Sequence, residues 1–233
     1  TEAVQKAVHQ VLFDVLTEVT SALISSPALK NKLDDAISLV GRALFTRFLI
    51  DRQIINRKTF PNLYAKNQPE SCFDNAELAT ATCEWLDDKF NGELLPLSSD
   101  NLSSYFRALA KSDRGVFRHL ANILHRAPGG QTSFEIYWNT INFAHVPIGL
   151  LSQVYEHYAH ELFSKGAEQE SIYYTPRFIA ELMVNEAFAG IQTVPVDRAR
   201  ILDPAAGAGI FLVPCFRRLV AERWKATNSR PDT

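Results

Sequence analysis

The sequence predicts a mainly α-helical protein in which a helical domain, residues 1–165, precedes the truncated start of a Rossmann-like α/β domain, residues 166–233. Two observations support this fold class. Through most of the first 165 residues, apolar side chains recur at steps of three and four, which is the period of a helix. Residues 200–213 instead indicate a short apolar strand, a loop of small residues and the start of an amphipathic helix, which together form the first half of a βαβ unit.

The helical elements follow in order. The first helix is predicted over about Glu2–Ser25 and ends at Ser26-Pro27. A second ends near Ile55, and residues 56–71 form a loop. A third helix is predicted from about Phe73 to Phe90, and Asn91-Gly92 ends it in the manner of a left-handed cap. A fourth predicted helix is capped by Ser99 or Asp100, and a fifth spans about 115–126. A sixth runs from Pro147 to Lys165-Gly166, and residues 133–143 are not assigned to a helix or a strand.

Composition and charge limit the class of protein. A hydrophobic fraction of 46% is ordinary for a globular protein, and a net charge of −2 gives no indication of a nucleic-acid-binding surface in this chain. The three cysteines, Cys72, Cys83 and Cys215, are far apart and lack Cys-x-x-Cys spacing, so they read as reduced core residues of a cytoplasmic protein. No apolar run reaches 18 residues, so no membrane span is predicted.

The loop after residue 202 is suited to a small charged metabolite. Glycines let the backbone approach a ligand, and the following helix N-terminus favours an anion. Asp203, at the carboxyl end of the predicted strand, can accept a hydrogen bond from an ammonium group. Leu212 stands where a dinucleotide fingerprint needs its third glycine, and the loop has no P-loop lysine. A tight turn with nothing bound is the alternative.

A second candidate element lies earlier in the chain. Tyr173 and Tyr174 precede Thr175, a natural N-cap, and Pro176, a natural first residue of a helix. The apolar residues that follow, at helical spacing, are Phe178, Ile179, Leu182 and Met183. A capped helix alone would explain these features.

The two elements together resemble a known family. The segment Tyr174-Thr175-Pro176 and the loop from Asp203-Pro204-Ala205-Ala206-Gly207-Ala208-Gly209 to Leu212 are similar to the cofactor motifs of N6-adenine DNA methyltransferases from restriction–modification and phage-defence systems. Among these are type I modification subunits and single-chain restriction–methylation enzymes. Ala206 departs from the family, which usually has a small polar residue or Cys there. Residues 41–52, 91–97 and 150–156 are similar to helical segments of the same enzymes. A plain core helix, with Arg42, Arg47, Asp51 and Arg52 solvated or paired, explains residues 41–52 as well.

The resemblance implies a cofactor, partners and site residues. The cofactor is S-adenosylmethionine, the main partner is DNA, and a specificity or restriction subunit is possible. The residues that the resemblance places at the cofactor are Tyr173, Tyr174, Thr175, Pro176, Asp203, Pro204, Ala205, Gly207 and Gly209. The alternatives are a methyltransferase acting on RNA or protein, and a helical interaction module that binds a specificity or restriction subunit.

Catalytic residues are not predicted within the chain. Enzymes of this family hold the flipped adenine with an Asn/Asp-Pro-Pro-Tyr/Phe element, and no Asn-Pro-Pro or Asp-Pro-Pro occurs in the 233 residues. The chain is therefore expected to be the N-terminal part of a larger enzyme, to be inactive alone, and to contact DNA mostly through parts beyond it. His157 and His160 have no third metal ligand in view, so a solvated polar face is expected and no metal site.

Overall fold

The structure is a computed structural model. It describes the following residues of the 233: 2–56, 58, 59, 68–90, 95–125, 138, 141–146, 149, 150, 154, 158, 175–191, 194–204, 206 and 209–229. The chain divides into two compact units, Thr1–Ala167 and Glu168–Thr233.

The first unit is built from helices. They are α1 (Glu2–Ser25), α2 (Leu33–Asp51), α3 (Ala76–Phe90), α4 (Leu102–Ser112) and α5 (Gly115–Leu124), with 3₁₀ turns at Pro69–Phe73 and Phe143–His145. Residues 138, 149, 150, 154 and 158 are also helical. No strand occurs in the described residues, so the prediction of a mainly α-helical protein is confirmed.

Side-chain caps place the starts of two helices differently from the predictions. Asn101 caps α4 by accepting from the backbone N–H of Ser104 at 2.9 Å, so the expected caps Ser99 and Asp100 were wrong by one or two residues. Asn75 accepts from the N–H of Leu78 ahead of α3, which therefore starts at Ala76 rather than near Phe73. In both cases the side chain of an asparagine, rather than that of a neighbouring polar residue, caps the helix.

The end of α2 also comes earlier than expected. The helix stops at Asp51, because Gln53 adopts a left-handed φ of 59° and the N–H groups of Ile54 and Ile55 fold back onto the carbonyl of Leu49. These bonds satisfy carbonyls that a helix end would otherwise leave open. The prediction of a helix reaching Ile55 was therefore wrong by about one turn.

The core of the first unit surrounds α2, in which 14 of 19 residues are buried. Helices α1 and α5 and the 3₁₀ turn at Pro69–Phe73 all pack on it. The fully buried apolar residues that fill the centre include Leu12, Leu16, Leu39, Val40, Phe73, Phe106, Leu120 and Phe143. Val154 and Tyr158 join the same core, and the hydroxyl groups of Tyr158 and Thr20 are hydrogen-bonded to each other.

Two arginines of α2 lie inside this core. Arg42 donates to the carbonyl of Leu95 at 2.9 Å and pairs with Asp87 at 2.8 Å. Arg47 donates to the carbonyl of Ile123 at 2.8 Å and lies over the ring of Trp138. Of the two sequence expectations, solvated or paired, the paired state holds for both, while Arg52 is exposed.

The second unit contains α6 (Arg177–Ala189), a 3₁₀ turn at Val196–Arg198, and α7 (Leu212–Thr227). Its buried apolar cluster consists of Val184, Phe188 and Cys215, packed against four partly buried neighbours. The face of α6 that is buried carries Ala180, Val184 and Phe188, whereas the apolar residues predicted at helical spacing, Phe178, Ile179, Leu182 and Met183, are exposed.

The predicted strand at residues 200–202 does not form. No strand ladder reaches these residues in the described part of the chain, and Leu202 is 87% exposed. A strand needs a neighbour to pair its backbone N–H and C=O groups, and none is described beside this segment. Because of this missing pairing, the Rossmann-like α/β domain remains a prediction.

Candidate cofactor-binding turn

Asp203 marks the start of the candidate site. It follows the exposed residues Ile201 and Leu202 and is itself half-buried. Its Oδ2 atom exposes less than 1 Å² to solvent. The carboxylate therefore has one oxygen turned into the unit at the point where the chain enters the turn.

Gly209 makes the turn possible. Its φ is +73°, in the left-handed region that favours glycine, and its N–H donates to the carbonyl of Ala206 at 2.7 Å. A Cβ atom on Gly209 would lie 3.9 Å from the nearest side-chain atom, which is an ordinary contact. The glycine is therefore required by backbone conformation rather than by space.

The start of α7 offers fewer donors to an anion than its sequence suggests. The N–H of Val213 is already bonded to the carbonyl of Gly209 at 2.9 Å, and Pro214 has no N–H. Two of the first three helical positions are thus unable to donate to a ligand. Amide donors for an anion must come from the turn residues before Val213.

Cys215 lies on α7, the helix that follows the turn. It is 8% exposed and belongs to the cluster that joins α6 to α7 through Val184 and Phe188. Burial raises the pKa of the Cys215 thiol, and the negative charge of Asp203 raises it further. The thiol therefore stays protonated, and it is a neutral packing residue near the acidic group rather than a nucleophile.

The start of α6 differs from the predicted cap. Pro176 occupies the N-cap position and its carbonyl accepts from the N–H groups of Ile179 and Ala180. No side chain caps the helix, so the prediction of Thr175 as N-cap with Pro176 as first helical residue was wrong by one residue. Since proline fixes φ near −65°, it is well suited to this position as well.

The predicted site residues fall into two groups. Thr175 and Pro176 directly precede α6, and Asp203, Pro204 and Gly209 lie in the segment that leads to α7. The two helices pack against each other in one unit. Tyr173, Tyr174, Ala205 and Gly207 lie outside the described residues, as do His157 and His160.

Sequence reasoning missed two features of this unit. One is Cys215 beside Asp203; the other is an ion pair between Arg223 and Asp197 at 2.9 Å, which fastens the end of α7 to the 3₁₀ turn. Both join residues 12 or more positions apart. The sequence contains no signal for such pairings beyond opposite charge.

Some kinds of site are absent from the described part of the chain. No group of three or more His, Cys, Asp or Glu side chains there could hold a metal ion. The three cysteines are all buried, as predicted for core residues. Among the described helices, none has the length and apolar character needed to cross a bilayer.

A carboxylate, a left-handed glycine and a helix start, in that order, are typical of turns that bind small charged metabolites. Comparison with known proteins finds a family model that matches part of the chain. Residues 147–230, a little over a third of the chain, match the family model described as N-6 DNA Methylase. The match includes the whole turn and confirms the resemblance to N6-adenine DNA methyltransferases. No curated protein and no solved structure matches the chain.

Proposed function

We propose that the chain is the N-terminal part of an enzyme that transfers a methyl group from S-adenosylmethionine to adenine N6 in DNA. The enzyme would act in the cytoplasm as a component of restriction–modification or phage defence. The family match to N-6 DNA methylases supports the class of reaction. The single observation that supports the cofactor is the half-buried Asp203 followed by the left-handed turn at Gly209.

The chemistry of these residues fits the amino-acid end of that cofactor. Asp203 can accept a charge-assisted hydrogen bond from an ammonium group, and the turn amides before Val213 can donate to a carboxylate. The resemblance assigns Pro204, Ala205 and Gly207 to the same end of the cofactor, and Tyr173, Tyr174, Thr175 and Pro176 to the rest of it. When bound, S-adenosylmethionine supplies the activated methyl group.

The surface of the second unit supports a larger catalytic domain. Of the exposed large apolar side chains among the described residues, most lie between Phe178 and Trp224, and Phe178, Leu202 and Phe216 exceed 60% exposure. A soluble domain rarely leaves so much apolar surface open to water. We infer that further strands of a Rossmann-like sheet pair with residues 200–202 and cover this surface, with the catalytic domain beginning near residue 166.

Methyl transfer itself is expected to need the adenine-holding element, which the 233 residues lack. We predict that the 233-residue chain, incubated with labelled S-adenosylmethionine and DNA, incorporates no more label than a blank without protein. Label in DNA above the blank would contradict this prediction. In the longer enzyme, label in RNA or protein but not in DNA would favour the alternative substrates.

The role of Asp203 is tested by calorimetric titration of S-adenosylmethionine into the longer enzyme. Asp203→Asn should lose a charge-assisted hydrogen bond of roughly 1.5–3 kcal/mol, so affinity should fall about 10- to 150-fold. Asp197→Asn, which removes the same charge from the ion pair with Arg223, should leave affinity close to that of the wild type. Equal affinities for wild type and Asp203→Asn, with the fold intact, would mean that the turn binds no cofactor through this residue.

A further inference from the structure

Positive charge is concentrated in one stretch of the helical unit. Residues 101–125 contain four Lys and Arg residues and one carboxylate, Asp113, although the whole chain has a net charge of −2. The four cations are Arg107 and Lys111 on α4, Arg114 at the junction, and Arg118 on α5. We call these four residues the basic face.

The basic face points away from the core. All four side chains are exposed. The opposite sides of the two helices are buried, through Tyr105, Phe106 and Leu109 on α4 and through Val116, Phe117 and Leu120 on α5. Arg107 and Lys111 are four residues apart on α4, and Arg114 and Arg118 are four residues apart at the start of α5, so each pair lies on one side of its own helix.

Among the described residues, no carboxylate forms an ion pair with this face. None of the four cations forms an ion pair or a side-chain hydrogen bond with any residue that the structure describes. Asp113 accepts instead from the hydroxyl of Ser26 at 2.6 Å and from the N–H of Gly115 at 2.7 Å. Its carboxylate is thus engaged in closing the α4–α5 junction. Burial and the charge of Arg118 lower the pKa of His119, so the positive charge at neutral pH comes from the four cations.

We propose that the basic face binds the phosphate backbone of double-stranded DNA, without reading its sequence. The inference rests on the proposed function for its choice of polyanion, because a DNA methyltransferase encounters duplex DNA. Three of the four cations are arginines, whose planar guanidinium groups match phosphate oxygens. From helix rise and chain reach, the face is at most about 23 Å long, which is roughly seven base pairs of one strand.

The test is the salt dependence of DNA binding. A fluorescently labelled duplex of arbitrary sequence is titrated with the 233-residue chain, without S-adenosylmethionine, between 50 and 200 mM salt. Each phosphate contact contributes about 0.9 to the slope of log affinity against log salt, so Arg107→Gln/Arg118→Gln should reduce that slope by about 1.8. When the salt concentration falls from 200 to 50 mM, the affinity of the wild type for DNA should rise by a factor about ten times larger than that of this variant.

The matched control removes two other exposed lysines of the same unit. Lys58→Gln/Lys89→Gln causes the same change in net charge away from α4 and α5, and it should leave the slope at the wild-type value. An equal reduction in both variants would overturn the proposal, since binding would then follow net charge alone. No binding by the wild type, or a slope unaffected by Arg107→Gln/Arg118→Gln, would overturn it as well.

Two further measurements separate the rival explanations. If polyglutamate displaces the duplex as effectively as unlabelled DNA at equal charge concentration, the face is a site for acidic proteins and the proposal is wrong. Asp203→Asn should bind DNA with wild-type affinity, and Arg107→Gln/Arg118→Gln in the longer enzyme should bind S-adenosylmethionine with wild-type affinity. Failure of DNA binding at the basic face and failure of cofactor binding at the turn are thereby distinguished.

Discussion

Gly209 and Arg47 show how single residues determine local structure in this chain for different physical reasons. Gly209 has a positive φ and enough room for a Cβ atom, so its constraint is conformational. Arg47 is 1% exposed and pairs with Asp51, so its constraint is electrostatic. Substitutions at these positions should therefore fail in different ways.

Gly209→Ala should destabilise the turn into α7 by about 1–2 kcal/mol, which is the cost of a left-handed conformation for a residue with a Cβ atom. Gly190→Ala is the control, because Gly190 ends α6 with an ordinary φ of −79°. The readout is hydrogen exchange of the α7 amides, which should accelerate in Gly209→Ala and stay unchanged in Gly190→Ala. Equal protection of the α7 amides from hydrogen exchange in both variants would contradict a conformational role for Gly209.

Arg47→Met should cost roughly 3–5 kcal/mol of unfolding free energy, because it leaves Asp51 and the carbonyl of Ile123 without a buried cation. Arg52→Met, an exposed arginine that donates to the carbonyl of Val146, should cost about 1 kcal/mol. Urea unfolding of both variants measures the difference. Comparable losses would show that the buried charge of Arg47 contributes no more to stability than the exposed charge of Arg52.

At the scale of elements, the α4–α5 junction depends on a single carboxylate. Asp113 accepts from Ser26, which follows α1, and from Gly115, which starts α5. It therefore joins three elements, and the hydrogen bond from Ser26 is the largest cause of the lowered pKa of its carboxyl.

This junction should make the first unit sensitive to acid. Because the folded-state pKa of Asp113 is depressed, its contribution is present above the unfolded value of about 3.9 and is lost as pH falls through the folded value. Ser26→Ala removes the main cause, so the variant should lose less stability than the wild type between pH 5 and pH 2.5. Urea midpoints at the two pH values test this expectation, and equal losses would contradict it.

At the scale of the whole molecule, the two units differ in how much apolar surface they bury. The first contains the large core around α2, whereas the described part of the second buries Ala180, Val184, Phe188 and Cys215. Expressed alone, residues 1–167 should therefore unfold in one cooperative transition, since an extensive buried face supplies about 25 cal/mol per Å². Residues 168–233 alone should melt without a sharp transition. Circular dichroism melts of the two pieces test both expectations. A non-cooperative melt of residues 1–167 would refute the first of them.

The sequence alone was sufficient for the features that depend on local pattern. The three-and-four periodicity predicted α1 over the residues that form it, and it predicted a mainly helical protein. The order Tyr-Thr-Pro, then Asp-Pro-Ala-Ala-Gly-Ala-Gly, led to the resemblance to N6-adenine DNA methyltransferases, which the match at residues 147–230 confirms. Such signals are readable because helix period and motif spacing are properties of neighbouring residues.

Tertiary structure decided which side of each helix is buried and which charges are paired. The arginines of α2 could be solvated or paired by sequence, and the carbonyls of Leu95 and Ile123, which arrive from distant elements, make the paired state favourable. On α6 the packing partner is α7, so Val184 and Phe188 are buried while the more conspicuous Phe178 and Leu182 are exposed. Burial depends on what lies opposite, and a helix pattern contains no information about its neighbour.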